Sequence, residues 1–152
     1  MKWRDKNVDI CLKIDAFLYG EIIKFTNNYS REVGGFIGIK NNVIIKCWFD
    51  DEIAKIPSFS YKPNELKLNH FWDICELEEI EYLGIFHSHL NKSATLSNGD
   101  INFIKNFMNI NVCVSTVFFP VIIPGKEMRV YCAKRDAMEI TICEVKVQII
   151  NN

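Results

Sequence analysis

Gly84-Ile85-Phe86-His87-Ser88-His89-Leu90-Asn91-Lys92-Ser93-Ala94-Thr95-Leu96-Ser97-Asn98-Gly99-Asp100 is the stretch on which the reading of the whole chain turns. Residues 81–86, leading into it, are apolar and aromatic with no helical period, which predicts a strand. After it, Ile101, Ile104, Phe107 and Met108 recur at helical spacing, so a helix begins near Ser97. Alternate strand residues share a face, so His87 and His89 point the same way from the strand end. Asp100 falls three residues past the N-cap, in the first helical turn. A strand end and a helix start, joined by a short loop, thus bring two imidazoles and a carboxylate toward one point. His87, His89 and Asp100, with a fourth position left open, form the donor set of a catalytic zinc site.

Each fragment also has a plainer reading. Ser97-x-x-Asp100 resembles a capping box, although that motif prefers Glu or Gln at its last position. A His-x-His on an apolar strand commonly serves packing. The full pattern, however, would arise by chance in roughly one such sequence in ten thousand. Capping and metal binding are also compatible, since Ser97 can cap the helix while Asp100 faces the metal.

His87-Ser88-His89, seven residues, Ser97, two residues and Asp100 resemble the JAMM motif of the JAB/MPN+ zinc metalloproteases. That family places a glutamate upstream on a glycine-containing strand, and Glu32-Val33-Gly34-Gly35-Phe36-Ile37-Gly38 matches it. Leu90 stands where the family has proline; without a fixed φ there, the loop over residues 91–96 is expected to be looser. The resemblance implies that His87, His89 and Asp100 bind Zn2+, that Glu32 is the general base, and that Ser97 steadies the carbonyl oxygen. Elementary chemistry assigns the same tasks. Zinc acidifies water to a pKa of roughly 7 and polarises a carbonyl. A carboxylate must then carry the proton to the leaving amine, and a hydroxyl can meet the developing oxyanion. Ser88 points to the opposite strand face, which gives it a structural role.

Composition sets the frame. The 152 residues are enough for one domain over 1–152 with a sizeable core, and 49% hydrophobic with 24% charged residues is an ordinary globular profile. A formal net charge of −1 leaves no electrostatic footprint for nucleic acid. Residues 1–6 are charged but no long apolar run follows, so neither a signal peptide nor a membrane span is expected. Cys11, Cys47, Cys75, Cys113, Cys132 and Cys143 are scattered, with no Cys-x-x-Cys pair, and read as free thiols in a reducing, cytoplasmic setting.

In chain order, residues 8–14 alternate as a first strand, and Asp15 caps a helix running to Asn27. Residues 32–40 and 43–49 are strands joined by Asn41-Asn42, a hairpin signal. By itself, Glu32 would read as a solvated edge residue. Residues 50–63 form a long loop, and 64–79 a second helix whose His70 reads as a packing or surface histidine. Residues 111–119 are a strand ended by Pro120, residues 121–133 a further hairpin, and 140–150 a final strand. The expected fold class is α+β: a mixed, curved sheet of seven or eight strands with three flanking helices, as the JAB/MPN (cytidine-deaminase-like) resemblance also implies.

The resemblance implies cleavage of a peptide or isopeptide bond at the C-terminus of a ubiquitin-like protein, either deconjugation or precursor processing. The short length is similar to compact bacterial and archaeal members, some from operons with activating (E1-like) and conjugating (E2-like) enzymes, others trimming sulfur-carrier proteins. A non-catalytic MPN scaffold would lack metal ligands that are all present here, and a RadC-like DNA-associated relative would carry a basic stripe. If the Gly34–Gly38 strand lies at a sheet edge, it can take up an extended, small-residue tail by strand addition.

Overall fold

The structure is a computed structural model that describes residues 10–51, 61–91 and 93–151. Its elements run β1 (Cys11–Asp15), α1 (Ala16–Asn27), β2 (Gly34–Lys40), β3 (Val43–Asp50), α2 (Glu65–Leu77), β4 (Tyr82–Ser88), α3 (Asn98–Ile110), β5 (Thr116–Ile123), β6 (Glu127–Asp136) and β7 (Glu139–Ile150). Local chemistry sets most boundaries. The Asp15 side chain accepts from the Phe17 N–H and caps α1; Asn64 does the same for α2 through Lys67. Asn41 and Asn42, at φ 53° and 61°, form the left-handed turn between β2 and β3 that twisted hairpins require.

The strands close on themselves. In the order β1-β3-β2-β4-β5-β6-β7 they form a barrel, sealed by parallel pairing of β1 with β7 from Cys11↔Lys146 to Asp15↔Ile150. This corrects the expected α+β sheet with flanking helices of the JAB/MPN type: the described residues form a mixed, mostly β, closed seven-stranded barrel carrying three short helices. The reason lies in the burial pattern. Val117 to Ile123 is buried at every position, which reads identically whether the second face lies under helices or inside a barrel. One core cluster draws Leu12, Ile37, Ile44, Phe86, Phe118, Val130 and Val145 from all seven strands. The other sets Phe36, Ile85, Phe119 and Tyr131 against Phe71 of α2 and Ile104 and Met108 of α3.

Two further expectations change. Pro120 does not end its strand, because β5 passes through it to Ile123. The parallel ladder with β4 steps from Gly84↔Phe118 to His87↔Val121, so the missing N–H falls where no rung is made. The glycine strand β2 is no edge: it pairs with β3 on one side and β4 on the other, so strand addition there is closed. The first strand is described from Ile10 onward, and within the loop over residues 50–63 residues 52–60 lie outside the described residues.

Candidate metal centre

The unit β4–α3–β5 is a strand, a helix and a parallel strand, and the motif sits where β4 ends and α3 begins. His87 lies in the last turn of pleat of β4, and the His89 N–H donates to the Ile122 carbonyl at 2.9 Å, extending the ladder by one rung. Ser97 and Asp100 form a reciprocal capping box: the Asp100 N–H donates to Ser97 Oγ at 3.1 Å, and the Ser97 N–H donates to Asp100 Oδ2 at 2.9 Å. Capping and metal geometry therefore coincide in one carboxylate.

The three donor groups close on one another, the two Asp100 oxygens each facing one imidazole. His87 Nε2 and His89 Nε2 lie 2.9 Å apart, His87 Nε2 is 3.0 Å from Asp100 Oδ1, and His89 Nε2 is 2.9 Å from Asp100 Oδ2. Tetrahedral zinc with bonds of about 2.0–2.1 Å sets its ligands about 3.3–3.4 Å apart, so a spread of a few tenths of an ångström admits an ion. The tautomer also fits. His89 Nδ1 is 2.9 Å from the Ser93 carbonyl, which can only accept, so Nδ1 carries a hydrogen, and Nε2, which faces Asp100, is the nitrogen that can present a lone pair to an ion once its own proton has left. Burial alone would push the Asp100 carboxyl up, but hydrogen bonds from His87 and His89 outweigh it and hold the group well below the usual carboxylate range. The His89 imidazole is raised, first by its hydrogen bond to Asp100, against the opposing effect of burial. His87, His89 and Asp100 can hold a metal ion.

Glu32 lies two residues before β2 and lines the same cavity as His87, Ser97 and Asp100. Its carboxylate contributes to raising His89. Ser88 connects the two segments. Fully buried, it accepts from the Val33 N–H at 3.0 Å, and its own N–H donates to the Val33 carbonyl at 2.8 Å. The structural role assigned to Ser88 is thus specific: it pins the residue after Glu32 to the strand that carries His87. Ser97 Oγ accepts from the helix, and its hydroxyl hydrogen has no acceptor among the described residues.

The loop after His89 is tied without a proline at position 90. The Tyr131 hydroxyl donates to the Ala94 carbonyl at 2.9 Å, beside the His89–Ser93 bond, while Leu90 faces outward. His70 stands apart on exposed α2 surface, its ring 5.4 Å from that of Trp48. None of the six cysteines is in a disulfide.

Neither Tyr61 nor Asp50 is singled out by the sequence, which marks only the long stretch over residues 50–63 that holds both as a functional suspect. The Tyr61 N–H donates to Glu32 Oε2 at 3.4 Å and its hydroxyl to Asp50 Oδ2 at 2.9 Å. A Cβ on Gly34 would stand 2.5 Å from the Tyr61 ring, so only glycine lets that ring lie over the start of β2. The one signal of this contact was Gly34 beside a glutamate; nothing local named an aromatic 27 residues away as its partner.

No family model matches the chain, and no curated protein matches it. Among solved structures, it is similar to the solution structure of a protein from Desulfitobacterium hafniense. The two are 14% identical, with a TM-score of 0.57 over 92% of this chain and 94% of that one. The likeness is one of fold. No helix among the described residues is long and apolar enough to cross a membrane.

Proposed function

We propose that this chain is a zinc-dependent hydrolase of the JAMM type that cleaves a peptide or isopeptide bond at the C-terminus of a ubiquitin-like protein. One observation carries the reading: His87, His89 and Asp100 converge as a three-donor set, and the cavity onto which His87 and Asp100 open is also lined by a second carboxylate, Glu32, and a hydroxyl, Ser97, each from the motif position its role requires. The support is this local chemistry and the motif, not the fold. A bound zinc supplies Lewis acidity and an acidified water.

The chain's residues do the rest. Glu32, held on the Tyr61 N–H and placed by the Ser88–Val33 bonds, accepts the proton of the attacking water and returns it to the leaving amine. Ser97 Oγ, already oriented as the helix cap, donates its free hydrogen to the carbonyl oxygen as negative charge gathers there. His89, its ring orientation fixed by the Ser93 carbonyl, keeps Nε2 directed at the cluster, where loss of its proton frees the lone pair for an ion. The motif resemblance implies as substrate a ubiquitin-like protein in a fusion, or in a conjugate whose isopeptide bond E1-like and E2-like enzymes have formed.

The test is a fusion of a ubiquitin-like protein to a reporter, incubated with zinc-loaded chain and compared with a peptide bearing only its last residues. The fusion is expected to be cut and the peptide cut poorly. Glu32→Gln should keep its zinc and lose roughly 10²–10⁴-fold in turnover. His87→Ala should lose the zinc itself. Undiminished turnover in Glu32→Gln, or full zinc in His87→Ala by elemental analysis, refutes the assignment.

A further inference from the structure

The cavity beside the metal cluster is lined by two unlike sets of residues. One set is polar, with Glu32, His87 and Asp100; the other is hydrocarbon, from Ile85 of β4, Phe103 and Ile104 of α3, and Phe119 of β5. Ile85, Ile104 and Phe119 belong to the packed core and cannot retreat, and the Phe103 ring stands edge-on to Phe119 at 6.3 Å and 88°. The cavity volume is about 250 Å³. An apolar cavity of about 150 Å³ accepts benzene, so this cavity, its polar part included, has room for a phenyl or branched aliphatic group beside the group presented to the cluster. It continues across Pro63 and Phe103 into a second depression between α2 and α3, about 440 Å³, whose walls include Leu68, Trp72 and Phe107.

A substrate reaching the cluster also needs an anchor other than β2, since both edges of that strand are taken. We propose that the hydrocarbon part of the lining is a side-chain subsite, and that the substrate carries a large apolar residue, of phenylalanine, leucine or methionine size, next to the bond presented to the metal. The subsite rests on the hydrolase reading and narrows it: an all-small tail would leave this cavity unfilled. Filling it removes an aryl side chain from water, which corresponds to about 10- to 100-fold in affinity.

Two metal-binding probes test this on the zinc-loaded full chain by calorimetry: acetohydroxamate and 3-phenylpropionohydroxamate, which share a head group and differ in the aryl arm. The aryl probe should bind about 10- to 100-fold more tightly. Phe103→Ala, at a half-exposed position that leaves the core intact, should shrink that ratio several-fold while acetohydroxamate binding stays unchanged. Equal affinity for the two probes overturns the subsite, as does binding of neither by a chain that elemental analysis shows to hold zinc; both outcomes leave the metal centre standing. A chain that takes up no zinc overturns the proposed function, and the subsite falls with it.

Discussion

Replacing Ser88 by alanine isolates the connection between the glutamate segment and the histidine strand. Ser88 is fully buried, and its Oγ is the acceptor for the Val33 N–H at 3.0 Å and donor to the Val33 carbonyl at 3.3 Å. The carbonyl keeps the Ser88 N–H at 2.8 Å, so the variant leaves one orphan, the Val33 N–H, among buried neighbours. An unpaired buried donor costs about 1–3 kcal/mol, and the small void left by one oxygen adds little. For a domain of this size each kcal/mol corresponds to roughly 2–4 °C in Tm, so calorimetry should show a fall of about 2–12 °C. Ser88 lies on the face opposite His87 and His89, so zinc content should not change. Glu32, one residue from the orphaned amide, should lose its fixed position, and kcat should drop while KM holds. An unchanged Tm would show that water or a backbone shift satisfies Val33 and that Ser88 does not tie the segments; lost zinc would show that it supports the ligands instead.

Three further outcomes are expected. In Gly34→Ala the new Cβ would meet the Phe86 carbonyl at 2.2 Å and the Tyr61 ring at 2.5 Å, and a backbone oxygen cannot swing aside. Since Gly34 pairs with His87, about 1–3 kcal/mol of stability and part of the zinc affinity should be lost together, read by denaturant titration and by competition with a chelator. Tyr61→Phe removes the hydroxyl from buried Asp50, whose Oδ1 already has no hydrogen-bond partner among the described residues; about 1–3 kcal/mol should be lost in chemical denaturation, and a wild-type melting curve would refute the role. Burial, reinforced by Asp50, pushes the Tyr61 phenol up, so it remains a donor throughout the neutral range. The last outcome concerns pH. His89 is raised by its bond to Asp100, so in the zinc-free chain that bond stabilises fully below the ordinary imidazole pKa and fades as pH rises through the raised value. Zinc competes with the same proton, so the Tm gap between zinc-loaded and zinc-free chain should widen from about pH 5 to about pH 8; a constant gap would count against His89 as a ligand.

Much of the site was legible because its parts are close in sequence. His87, His89, Ser97 and Asp100 lie within 14 residues, and their convergence needs only strand alternation, a short loop and a helix start. The capping box is local for the same reason, as are the Asp15 and Asn64 caps and the Asn41-Asn42 turn. Glu32 is 55 residues from His87, and only the motif resemblance pointed to it; the antiparallel pairing of β2 with β4 brings it to the cluster cavity. Tyr61 and Asp50 left no comparable trace, because a side chain reaching across a glycine is defined by the space around it.

The amino-acid sequence by itself determined most of the element order, apart from the division at Pro120, and the three residues that can hold a metal ion, consequences of periodicity and spacing over a few residues. Only the tertiary structure decided that the sheet closes. Closure rests on the pairing of Cys11 through Asp15 with Lys146 through Ile150, some 135 residues along the chain, and backbone N–H and C=O groups are the same in every residue. An open sheet covered by helices and a barrel filled by its own side chains demand the same runs of buried valine, isoleucine and phenylalanine. Which strand lies beside which is decided by packing at a distance, and that choice also closed β2 to incoming peptide and opened the apolar cavity next to the metal cluster.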